Sequence, residues 1–86
     1  MYDTAIFRTV KKHIDKMDYC GLLSGGAPAD EFDGESKEIS ERIHAELSVQ
    51  EIADIITEVF NSQFSEEHEM GAFLPVAEAI RKDLLA

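Results

Sequence analysis

The feature that most constrains this chain is the step between its apolar residues. Ile6, Val10, Ile14 and Met17 recur at intervals of four, four and three. That interval returns in Ile39, Ile43 and Leu47, in Ile52, Ile55, Ile56, Val59, Phe60 and Phe64, and in Leu74, Ala77, Ile80 and Leu84. Side chains three and four apart share one face of an α-helix, so each set makes one buried stripe. No β-branched run with a period of two interrupts them, and nothing reads as a strand. The expected fold class is all-α, with about four short helices in a small irregular bundle.

Local signals divide the stripes. The first helix is expected over residues 3–18, and it ends before the glycine-rich stretch of residues 21–28. A second helix starts between Asp33 and Ser36 and carries Ile39, Ile43 and Leu47, with an i,i+4 pair between Glu38 and Arg42. Ser48-Val49-Gln50-Glu51 is a capping box, with serine at the N-cap and glutamate at N3. Leu47 before it and Ile52 after it suit a hydrophobic staple, and the third helix is expected to be the most buried. Residues 65–71 read as a connection. Pro75 suits the first turn of the last helix, where its missing N–H costs nothing; Val76 and Leu85 fall at the margins of that helix.

Eighty-six residues make one domain, 1–86, rather than two. A domain of this size buries only about 60 % of its unfolded surface, so its core is thin. An intrachain disulfide is excluded, because Cys20 is the only cysteine. A lone thiol suits a reducing cytoplasm, and no apolar stretch reaches the roughly 20 residues of a bilayer span. The amino-terminal residues carry charge where a signal peptide needs an apolar run, and the expected location is cytoplasmic.

The formal net charge is −10, from 18 acids and 8 bases. Nucleic acid and anionic membranes are therefore poor partners, since both are bound through clustered Lys and Arg. A basic protein is attracted. The charge is uneven: residues 1–29 net +1, residues 30–58 net −8 and residues 59–86 net −3. The acidic face is expected to centre on Asp30, Glu31, Asp33, Glu35, Glu38 and Glu41, with Phe32 in its midst. Phe32 is either a core plug or, if exposed among the acids, an anchor for a partner.

Motifs of chemistry are weak. Asp33-Gly34 fits positions five and six of an EF-hand loop, but positions one and twelve would be Ala29 and Ser40, so no calcium site is assigned. His13, His44 and His68 stand far apart and form no zinc pattern with Cys20. Cys20 lies near a helix end, where the dipole disfavours a thiolate, and a buried structural thiol is the expectation. Gly25-Gly26 lacks the lysine of a phosphate loop, no Ser-His-acid pattern is present, and no serine stands in the Asp-Ser-Leu context of a carrier protein. The expectation is a protein without enzymatic activity, metal or cofactor.

The run Gly26-Ala27-Pro28-Ala29-Asp30-Glu31-Phe32-Asp33-Gly34-Glu35 resembles the signature of a family of small bacterial helical proteins of unknown function. Their pattern runs Asp-Pro-hydrophobic-Gly, then Gly-Ala-Pro-x-Asp-Glu-Tyr-Asp-x-Glu, then amphipathic helices. Asp18-Tyr19-Cys20-Gly21 matches the first element with Tyr19 in place of proline, and Phe32 stands where tyrosine is usual. Val59-Phe60, Phe64, Ala77 and Ile80 fit the remainder. The resemblance implies an all-helical fold and a bacterial source, and it implies no activity. Small acidic helical proteins also include immunity partners of secreted toxins, a likeness of size and charge only. The nuclease-colicin immunity proteins among them carry a Tyr-Tyr-Pro element that is absent here.

Three roles follow. The first is a non-catalytic protein-interaction module whose acidic face meets a basic protein, in the manner of an immunity protein or antitoxin. The alternatives are a structural homodimer, suggested by the apolar positions of the last two helices, and a metal-responsive regulator.

Overall fold

A computed structural model describes residues 4–17, 25–26, 32–44, 46–64, 67–68 and 72–85. Four helices account for most of them: α1 (Thr4–Met17), α2 (Asp33–Arg42), α3 (Val49–Phe64) and α4 (Leu74–Leu85). They form a ring in which α1 packs on α2 and α4, and α3 packs on the same two neighbours. α1 and α3 therefore occupy opposite corners, as do α2 and α4.

The stripes meet in one core. Val10 and Ile14 of α1, Ile39 of α2, Ile52, Ala53, Ile56, Val59 and Phe60 of α3, and Ala77 and Ile80 of α4 are all fully buried. α3 contributes the largest share, as its apolar pattern predicts. Two polar side chains enter this interior in satisfied form. Thr57 donates its hydroxyl to the Ala53 carbonyl at 2.8 Å, and Ser40 donates to that of Ser36 at 2.6 Å. Each bond reuses a carbonyl one turn back, while the fully buried Ser36 hydroxyl has no hydrogen-bond partner among the described residues.

The capping box forms as its spacing predicts. The Glu51 N–H donates to Ser48 Oγ at 3.1 Å, and the Ser48 N–H donates to Glu51 Oε1 at 3.0 Å. These bonds hold the Glu51 carboxyl below its ordinary range. Ser48→Ala removes one of the two and is expected to cost about 1 kcal/mol; a urea melt with an unchanged midpoint would refute the cap's contribution.

Two boundaries differ from expectation. α2 stops at Arg42, and Ile43 turns extended with ψ 158°. Leu47 therefore packs on the core from the connection rather than from a helix. The reason lies downstream: an N-cap serine must be non-helical, so the chain has to leave α2 before Ser48. The exposed Leu47 carbonyl is taken by Arg81 Nε at 2.9 Å, which ties this turn to α4. In α4 the buried stripe begins one residue early, on Phe73, 7 % exposed, and continues through Ala77 and Ile80. Leu74, a quarter-turn away, faces out at 36 % exposure.

Phe32 is the plug. It precedes α2, its carbonyl accepts the first helical N–H, from Ser36 at 2.9 Å, and its side chain is fully buried. Its ring meets Phe60 at 6.2 Å and Phe64 at 6.5 Å, tilted to both. Phe60 in turn stacks on Phe64 at 5.6 Å and on Phe73 at 5.4 Å. Four of the five phenylalanines thus gather where α2 and α4 begin beside α3.

Candidate protein-interaction face

The acidic residues singled out from the sequence divide among different tasks once folded. Asp30 and Glu31 lie outside the described residues, as do Cys20 and the Asp18-Tyr19-Cys20-Gly21 element. Phe32 corrects its assignment as a binding anchor: it is 0 % exposed, and burying it against two aromatic rings leaves nothing for a partner to grip. Asp33 is engaged within the fold. Its carboxylate lies 2.6 Å from Lys11 Nζ, which also bonds Asp15 at 2.8 Å. Lys11 thereby joins α1 to α2, and its two carboxylates, Asp15 first, raise its pKa above the ordinary lysine value. Glu35 is half-buried, with Oε2 turned inward and without a hydrogen bond. Glu38 is half-buried and Glu41 is exposed.

A second acidic row appears that the sequence reading did not assign. Glu51, Asp54 and Glu58 step by three and four along α3, on the side turned from the core. Arg42, expected to pair with Glu38 along its own helix, instead reaches Glu58 across the α2–α3 seam at 3.3 Å. This contact ties the exposed end of α2, with Glu41, to the α3 row. The available signal was a gap: from Ile43 to Ile80 the sequence has no Lys or Arg, yet it holds eight acids.

The opposite corner is basic. Arg8, Lys12 and Lys16 are spaced by four on the exposed side of α1, and that helix nets +3. Because α1 and α3 do not adjoin in the ring, the two rows face different directions. In a chain of net charge −10, α1 thus holds four of the eight lysines and arginines.

α1 is also clasped to α4. Asp83 Oδ2 sits 2.7 Å from Lys12 Nζ and 2.7 Å from His13 Nε2. These bonds, that to Lys12 foremost, pull the Asp83 carboxyl down to about 2 from 3.8. A depressed carboxyl stabilises the fold above its unfolded pKa and loses that contribution as pH falls through the folded one. Asp83→Asn should therefore be less stable than wild type at pH 7, and the difference should shrink between about pH 4 and pH 2. Thermal melts at pH 7, 4 and 2 test this; a difference that persists unchanged at pH 2 contradicts the assignment.

Among the described residues, no three His, Cys, Asp or Glu side chains converge to hold a metal ion. The chain matches no protein-family model, no curated protein and no solved structure.

Proposed function

We propose that this protein is a non-catalytic interaction module that presents an acidic face to a basic protein partner. The observation that carries this reading is the segregation of charge onto opposite corners of the bundle. Glu51 and Glu58, both exposed, and the half-buried Asp54 form an acidic row on α3, with Glu41 adjoining and no lysine or arginine on that helix. A one-signed row raises the encounter rate with a basic patch and orients it, while well-packed central contacts supply most of the affinity. Asp30 and Glu31, which precede Phe32 in the sequence, add two further acids to this reading. An immunity- or antitoxin-like role in a bacterial cytoplasm fits this size, charge and helical fold.

The test is retention of a partner from native lysate by three forms: wild type, Glu41→Gln/Asp54→Asn/Glu58→Gln, and Asp30→Asn/Glu31→Gln. The helix-row variant is expected to lose a partner that wild type retains at low salt, with its melting temperature within a few degrees of wild type. The loop variant reports how far the face extends. Equal retention by wild type and the helix-row variant, at both low and high salt, would end the reading.

A homodimer through α4 is the second reading. Leu74 and Leu85, 36 % and 57 % exposed, lie 11 residues apart, about three helical turns, and so share one side of α4. Light scattering across a dilution series decides it, and a strict monomer ends it.

A further inference from the structure

On the flank opposite the acidic row, α1 and α4 leave a cleft between them. Its volume is about 410 Å³, within the roughly 300–1,000 Å³ of small-molecule sites. Met17, Phe73, Val76 and Ala79 supply apolar walls, and the polar groups at its border are His13 and Lys16. His13 is held in place, since Asp83 fixes its Nε2 at 2.7 Å. Lys16 is exposed in the last turn of α1 and takes part in none of the ion pairs among the described residues. The cleft also lies along the start of α4, whose first turn holds no acidic residue. The N–H groups of a first turn have no partner within their helix and carry partial positive charge.

We infer that this cleft binds a small amphiphilic anion, with its apolar body against Met17, Phe73, Val76 and Ala79 and its acid group at Lys16. The argument is one of complementarity. An apolar lining selects for a hydrocarbon body, because transfer of apolar surface out of water is the dominant favourable term. The charged group that borders the lining is a cation without an ion-pair partner among the described residues, and the adjoining helix terminus has the same sign. Elsewhere the molecule's net negative charge repels anions, so this flank is where one is tolerated. The inference is independent of the acidic face on α3, and each stands or falls on different residues.

Titration of the isotopically labelled full chain with octanoate, followed by amide NMR shifts, tests it. Saturable shifts are expected at His13, Lys16, Met17, Phe73, Val76 and Ala79, with smaller ones for 1-octanol, which has the body without the charge. Lys16→Glu, a surface change that leaves the core untouched, should weaken octanoate by about fivefold or more and leave 1-octanol unaffected. Ala79→Trp should fill the cleft and abolish both; if it fails to fold, the Lys16→Glu comparison decides alone. Shifts that do not saturate or that spread over all four helices overturn the inference. So does octanoate affinity unchanged in Lys16→Glu.

Discussion

Phe32→Ala is expected to lower stability by about 3–5 kcal/mol, the cost of emptying a fully buried aromatic position. The side chain is 0 % exposed and meets two other rings, so little can collapse into the space it leaves. A domain this small holds about 5–10 kcal/mol in total by the usual scale. The variant should therefore melt more than about 10 °C below wild type, or lose its cooperative transition altogether. Circular dichroism melts read this directly. A variant as stable as wild type would mean that Phe32 is not in the core, and it would restore the residue as an exposed anchor.

Phe60→Ala should cost about as much, 3–5 kcal/mol, for a related reason. Its ring is the hub of the aromatic cluster, touching those of Phe32, Phe64 and Phe73. Aromatic pairs add about 0.5–1.5 kcal/mol beyond the area they bury. Phe60→Leu separates the two contributions, since leucine keeps much of the volume and none of the ring contacts. It should cost less than half as much as the alanine change. Equal losses from leucine and alanine in urea melts would show that ring geometry, rather than volume, dominates at this position.

These two residues also mark where the sequence was legible. Phe60 sits within a strong helical stripe, so its burial followed from periodicity alone. Phe32 did not, because it lies just outside its helix among acids, and spacing cannot distinguish a plug from an exposed ring. The capping box was readable down to individual hydrogen bonds, since its two partners lie three residues apart and need no tertiary information. The end of α2 was not. Leu47 continues the four-residue step of Ile39 and Ile43, yet it also precedes an N-cap, and the cap prevailed. Phe73 escaped notice because Leu74 offered an equally plausible start to the same stripe.

The candidate face was harder to read, for a different reason. Composition counts charges without giving their directions. Asp33 and Glu35 belong to the most acidic segment, but one is paired with Lys11 and the other turns an oxygen inward. Arg42 had a local partner in Glu38 and a distant one in Glu58, and only the folded α2–α3 seam makes the second reachable. The α3 row emerged because the core claims one side of that helix and leaves its acids on the other.

The clasp between Asp83 and His13 joins residues 70 positions apart. The α1–α2 and α3–α4 pairs are each hairpins made of neighbours in sequence, cheap to close but too small to bury a core alone. The α1–α4 seam, with the α2–α3 seam across from it, couples the two halves. Neither hairpin can open without uncovering the apolar stripe of the other. The ring thus converts two marginal pieces into one cooperative unit, in which loss of a single seam is felt by every helix.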